Sequence, residues 1–387
     1  MSAAFQSDAT RHASPLIQAI AAAAAVHDRS GTVAKASLAA LHQAGITALT
    51  VPTALGGAGA GLHLAAQTVR EVGAACPGTA LILAMQLSKQ AALAASPDWP
   101  AELREQLGRQ AVQHGALINA ARAEPELGSP THGGLPATIA RRTAAGWAIT
   151  GHKRYVTGLP VLRFIEVLAR TDEVQPRIGS FLVEADAPGL EILPAWNHLG
   201  LRASGSEDLR LHEVEVPEAR AIGLRPAAQW RPGNPAQAAW NSALIGAVYV
   251  GVADAALGWV RGFLHARRPG ALGAPLSSLP QVRQSVGRAA AQLVAAGRLL
   301  ASLGRDVDAG QAPAAVESGA IKAQLAEAAI RAVEGAVSLA GNHALDRANP
   351  LERHWRDVQC ARVHVPTEDA AHAALGAAFL QQEGSPT

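Results

Sequence analysis

The sequence predicts an α+β protein in three parts: an N-terminal helical domain (residues 1–115), a central antiparallel, barrel-like β-domain (116–225) and a C-terminal four-helix bundle (226–387). Three observations carry this. Apolar residues recur at helical spacing in the first part, in HLAAQTVREVGAA and AELREQLGRQAVQHGA. Short β-like runs replace them near Ala116 and recur to about Gly223. From Pro235 the helical period returns in four stretches with short connections.

Taken in order, the run PLIQAIAAAAAV at 15–26 reads as an amphipathic helix, with Ser14 as N-cap and Pro15 as first helical residue. It has no lysine-rich flank and runs straight into His27, Asp28 and Arg29, unlike a signal peptide. The glycine-rich break VPTALGGAGAGL (51–62) has neither a GxGxxG register nor a following GK[ST], so it predicts a loop between helices rather than a phosphate cradle. In the β-part, the runs ALINAARA, GWAIT, RYVTG, FIEVLAR, GSFLVEA and LRLHEVEV are separated by turn signals such as ADAPG. The apolar phase slips between Leu211 and Val214, which predicts a bulge. The bundle is NPAQAAWNSALIGAVYVGVADAALGWVRGFLHARR, QVRQSVGRAAAQLVAAGRLLASLGRD, AAVESGAIKAQLAEAAIRAVEGAVSLAG and DAAHAALGAAFL.

Composition narrows the function classes. With 387 residues, 49% hydrophobic and 17% charged, the chain is long enough for several cores. The net charge of +2 is spread over scattered arginines with no basic run, which argues against a nucleic-acid partner. Cys76 and Cys360 form neither a metal spacing nor a CxxC pair and suit a reducing, cytoplasmic setting. No stretch is expected to reach the length and purity of a membrane span.

The local motifs, in their order, resemble the acyl-CoA dehydrogenase superfamily of flavoproteins over nearly the whole chain. AEPELGS (123–129) resembles the segment that opens the β-domain and cradles the flavin, and GHKRYVTG (151–158) the strand that passes its ring. FLVEADAPGLEI, LGLRASGSEDLRLHEVEVP and AVSLAGNHALDRANPLERHWRD resemble the segments that follow. The resemblance implies bound FAD, with FMN the choice in a two-component monooxygenase. It places Tyr155 as the ring-stacking aromatic and Thr157, expected on the same strand face, as a hydroxyl donor near N5. It places Ser129 on the pyrophosphate, and Gln281 with Arg267 or Arg268 on the cofactor phosphates of a neighbouring subunit, hence a homodimer or homotetramer. Ala123 replaces the threonine usual before EP.

The resemblance then exposes a gap. A dehydrogenase needs a carboxylate to take the substrate's α-proton. The superfamily's two glutamate positions fall on Val365 and Asn241. Asp254 is thirteen residues after Asn241, nearly the opposite helix face at about 100° per residue. Glu368 and Asp369 suit the first turn of the last helix. His364, seven residues after the aspartate of Arg356-Asp357, matches the reduced-flavin-dependent monooxygenases of the superfamily, where a histidine near neutral pKa serves as acid and base. His343, His354 and His132 read as structural, and Arg356 with Asp357 as an ion pair that fixes the turn.

Three readings follow. The first is a monooxygenase-like enzyme on a small organic or sulfur-containing substrate, with His364 as acid/base and a flavin reductase as partner. The second is an acyl-CoA or acyl-carrier dehydrogenase with an atypical base, Glu368 or Asp369, passing electrons to an electron-transfer flavoprotein. The third is a flavin-binding or flavin-free member without redox turnover.

Overall fold

The computed structural model describes residues 14–126, 134–230 and 234–381. The first helix, α1 (Pro15–Ser30), begins as its sequence predicts: Ile17 N–H donates to Ser14 Oγ at 3.3 Å and Pro15 takes the first turn. It ends on Gly31 at φ 65°, a left-handed cap that glycine adopts without strain. After α2 (Lys35–Gln43) the glycine-rich break folds back on itself. A Cβ at Gly57 would stand 2.2 Å from the Val51 carbonyl oxygen, so only glycine permits that approach. The next helices are α3 (Leu62–Ala75), α4 (Pro77–Ala95) and α5 (Ala101–His114).

The strands are β1 (Ile118–Ala121), β2 (Ile139–Thr143), β3 (Gly146–Val156), β4 (Phe164–Thr171), β5 (Arg177–Glu184), β6 (Leu190–Leu193), β7 (Glu207–Pro217) and β8 (Ala221–Pro226). They form one sheet in the order β6-β7-β3-β2-β4-β5-β8, with β1 also on β4. The expected barrel-like domain is an open sheet. Its pairings are antiparallel except that β1 and β2 both run parallel to β4. The bulge lies where the phase slips: β3–β7 pairing jumps between Ile149 and Gly151, with Glu213 at φ 47°.

The C-terminal helices are α6 (Pro235–Ala266), α7 (Pro280–Asp308), α8 (Ala315–Ala340), the short α9 (Pro350–Gln359) and α10 (Glu368–Gln381). By length and composition α6 does reach a membrane span, contrary to expectation; 72% of its most apolar window is buried inside the protein, so its side chains supply core. It packs against α8 and also against α3 from the N-terminal part. Glycines set that last approach: a Cβ at Gly251 would stand 2.3 Å from Arg70 O, and one at Gly73 2.8 Å from Val248 O. A second tie joins the same parts. Asp308 at the end of α7 caps α3, its carboxylate accepting from Leu62 N–H at 2.6 Å and His63 N–H at 3.0 Å. The last helix, α10, leans on α8 and buries only Ala371.

Candidate active site

The segment after α9 carries His364 across α6 and α8. Its imidazole Nδ1 is 2.6 Å from the phenol oxygen of Tyr249 on α6, with ring centroids 5.7 Å apart. Tyr249 is fully buried in the run IGAVYVGV. Burial, with Asp357 and Cys360 nearby, raises the phenol well above its usual value. Burial, then the Lys322 charge, pushes His364 down to about 4. Both groups are therefore neutral at pH 7, and one proton lies on the O···N axis. With Tyr249 as donor, His364 Nε2 bears hydrogen and can donate; with Nδ1–H as donor, Nε2 accepts. Nε2 has no protein partner among the described residues.

The carboxylates near this loop have other tasks. Asp254 accepts two bonds from Arg70, at 2.6 and 2.9 Å. Glu368, at the start of α10, faces Lys322. Asp357 is buried and accepts from Leu201 N–H at 2.7 Å; burial raises it to about 7. The expected Arg356–Asp357 pair does not form. Consecutive helix residues point to different faces, and Arg356 instead grips Asp28 at 3.1 and 2.6 Å and Glu352 at 2.8 and 3.0 Å. Val365 is exposed, and the Asn241 side-chain oxygen accepts from Ser88 Oγ at 3.0 Å and Gln237 Nε2 at 3.3 Å. His354 is buried with Nδ1 unpartnered, and burial lowers it to about 3, in keeping with a structural histidine.

The cofactor candidates lie on other elements. Tyr155 is 49% exposed at φ 58°, with its ring nearly perpendicular to those of Trp196 and His198 and the Arg154 guanidinium over one face, 4.7 Å from the ring centre. Thr157 does not share its strand face. The β3–β7 register slips between Lys153 and Val156, β3 ends at Val156, and Thr157 is buried with its hydroxyl 3.0 Å from Ser206 Oγ. Ser129 and His132 lie outside the described residues. Arg267, Arg268 and Gln281 are exposed at one end of the bundle, where Leu276 N–H donates to Arg267 O at 3.0 Å. Arg267 is eighteen residues beyond Tyr249, about 27 Å along α6. Along α6, Arg267 therefore stands well away from Tyr249 and its partner His364 within one chain.

Sequence reasoning passed over Tyr249, Lys322, Glu124 and Lys153. Tyr249 is one of two tyrosines in the chain and the lone hydroxyl in its aliphatic run, a visible signal. Lys322 and Lys153, two of only four lysines, are fully buried. Lys153 donates to Glu124 at 2.7 Å, and that carboxylate also accepts from Thr138 Oγ1, Thr138 N–H and Ala137 N–H. This buried pair joins the start of AEPELGS to β3 and fixes the strand end that presents Tyr155.

Would these residues accept a flavin? The exposed Tyr155 ring offers an aromatic face, and His198 Nδ1 beside it is buried without a partner. Asn119 Nδ2 holds the Thr157 carbonyl at 3.0 Å, fixing the backbone where β3 ends. An aromatic support beside ordered polar backbone suits a planar, hydrogen-bonding ring.

Comparison with known proteins bears on the family and the fold. Three family models match in chain order: acyl-CoA dehydrogenase N-terminal domain over residues 8–96, middle domain over 119–214 and C-terminal domain over 243–368. The chain is 32% identical over 358 residues to the putative acyl-CoA dehydrogenase YdbM of Bacillus subtilis (strain 168), covering 92% of each. It is 30% identical over 248 residues to the amino sugar nitrososynthase RubN8 of Streptomyces rubradiris, covering 61% of this chain and 56% of that one. Among solved structures, KijD3 in complex with FMN and a dTDP-linked amino keto sugar superposes with TM-score 0.82 at 28% identity, covering 95% of this chain and 91% of that one.

Proposed function

This chain belongs to the acyl-CoA dehydrogenase family, a family of flavin-dependent oxidoreductases, and from that premise we propose that it is a reduced-flavin-dependent monooxygenase acting on a small organic substrate, with His364 as its acid–base group. The observation that carries this reading is the His364–Tyr249 pair, next to the valine that occupies the family's usual glutamate position. The neutral imidazole can accept a proton from a substrate N–H, S–H or O–H through Nε2. Burial and the Lys322 charge hold it at about 4 rather than at the near-neutral value expected from the sequence, so the imidazolium formed is a short-lived, strong acid that readily gives the proton back. The pair does not suit abstraction of a carbon-bound proton, which needs a carboxylate base in this family. RubN8 and KijD3 support the reading: one is an amino sugar nitrososynthase, the other was solved with FMN and an amino sugar nucleotide.

Tyr155, Ser129, Arg267 and Gln281 are the residues assigned to the flavin, FAD in the first instance and FMN in the two-component case; the Thr157 hydroxyl is buried against Ser206 Oγ and is not among them. When bound in its reduced form, the flavin supplies two electrons to molecular oxygen, so that one oxygen atom goes to the substrate and the other to water. His364 Nε2 takes the proton that the substrate gives up, while Nδ1 hands its own hydrogen bond to Tyr249 Oη; the reverse flow returns the proton to the departing oxygen. Arg267, some 27 Å from Tyr249 along α6, supports a homo-oligomer in which each chain completes its neighbour's cofactor site, served by a separate flavin reductase in the cytoplasm.

One relative favours a second reading. YdbM, at 32% identity over 92% of the chain, is named a putative acyl-CoA dehydrogenase. On that reading Glu368 or Asp369 serves as base and electrons pass to an electron-transfer flavoprotein. An anaerobic titration of the flavin-loaded protein with acyl-CoA thioesters separates the two. The monooxygenase reading expects the oxidised-flavin band to persist through the panel; bleaching by one thioester without any reductase would establish the dehydrogenase.

A further inference from the structure

Lys322 is placed on α8 in the apolar stretch SGAIKAQLAEAA and is 2% exposed. Its ammonium has three hydrogens, and three carbonyl oxygens take them: His364 O at 2.5 Å, Pro366 O at 2.9 Å and Ala361 O at 3.4 Å. All three belong to the irregular segment that carries His364. Among the described residues no carboxylate lies within ion-pair distance of Lys322. A buried lysine without a salt bridge is costly, so the arrangement persists only because the three carbonyls satisfy it. They in turn would be unpaired main-chain groups without it. One turn earlier on the same face, Gly319 lets the segment come close: a Cβ there would stand 3.2 Å from Pro366 Cγ.

We propose that Lys322 is the positioning residue of the site: its ammonium gathers the carbonyls of residues 361–366 into one conformation and aims His364 at Tyr249. The proposal rests on the reading of His364 as the acid–base group, but it makes a claim about His364 that holds without catalysis. The groups that face the imidazole are few. Tyr249 meets it from α6 and Lys322 from α8; Glu368 on α10 faces Lys322, while Asp357 and Cys360 face Tyr249 from the α9 side. Burial acts most strongly on the imidazole, and the Lys322 charge adds to it in the same direction. Lysine fits where arginine would not, because a compact ammonium can reach three converging oxygens and a planar fork cannot.

The test is an NMR pH titration of the full-length, flavin-loaded protein with 15N-labelled histidine, the His364 signal assigned by its loss in His364→Gln. In the unaltered protein His364 should stay neutral down to about pH 4. In Lys322→Met its midpoint should move up by about half a pH unit or more, while Lys322→Arg, which keeps the charge, should leave it low. If the methionine variant does not fold, Lys322→Gln removes the charge and retains donors for two of the carbonyls, with the same expectation. Where turnover is followed, Lys322→Met should cost little further in the His364→Gln background, because the lysine acts through the histidine. An unmoved His364 midpoint in a folded, charge-free variant overturns the proposal, as does equal loss of turnover with and without His364. Failure of the acid–base reading looks different: His364→Gln would then retain full turnover whatever Lys322 does to the midpoint.

Discussion

The phenol oxygen of Tyr249 and Nδ1 of His364 stand 2.6 Å apart, although 115 residues separate them in the chain. The contact fixes one imidazole nitrogen and leaves the other without a protein partner among the described residues. Tyr249→Phe keeps the ring and removes the hydroxyl, so a buried nitrogen loses its partner. Turnover should fall by about 10-fold to 100-fold, with flavin binding unchanged and stability lowered by about 1 kcal/mol. Steady-state kinetics, flavin titration and a urea melt read the three quantities.

Arg356 joins α9 to α1 through Asp28, at side-chain exposures of 17% and 10%. At so little exposure, loss of one partner strands a charge. Arg356→Ala should cost about 3 kcal/mol and leave His364 chemistry in the remaining folded protein largely intact. Asp28→Asn should destabilise too, and the double variant less than the sum of the singles. Equilibrium urea unfolding of all four proteins measures this. Additive losses would mean that the pair does not act as one.

Asp357 sets a pH dependence with a definite sign. Its folded pKa, raised by burial to about 7, exceeds the unfolded carboxylate value. The native state therefore binds more protons between about pH 4 and 7, and Asp357's contribution to stability is lost as pH rises through that window. His364 and His354, lowered to about 4 and 3, work the other way: their contribution is lost as pH falls below the imidazole range. Asp357→Asn can still accept from Leu201 N–H and carries no charge to bury. Relative to the unaltered chain it should gain stability between pH 5 and pH 8. Urea midpoints at the two pH values decide this, and a relative loss at pH 8 would show that Asp357 is needed as a carboxylate.

The α+β order was legible because periodicity reports burial, and burial follows from elements that each cover one face. The cap at Ser14 and the bulge before Val214 were legible for the same local reason: both are short-range geometry. Thr157 was misjudged because strand alternation assumes a regular strand, and the slip at Tyr155 breaks it. Arg356 was misjudged because its partner lies 328 positions away, where no spacing rule reaches. Val365 and Asn241 showed by their chemistry that the usual base was missing. Tyr249 and Lys322 lay hidden in apolar helices, where pattern says that a residue is buried and not what it touches.

The most direct measurement mixes the protein, loaded with reduced flavin under anaerobic conditions, with oxygenated buffer and follows flavin absorbance on the millisecond scale. A role for His364 in monooxygenation predicts two phases, in which a species distinct from reduced and oxidised flavin builds up and then decays slowly, with the decay altered in His364→Ala. A single-phase return to oxidised flavin, identical in the two proteins, would contradict it.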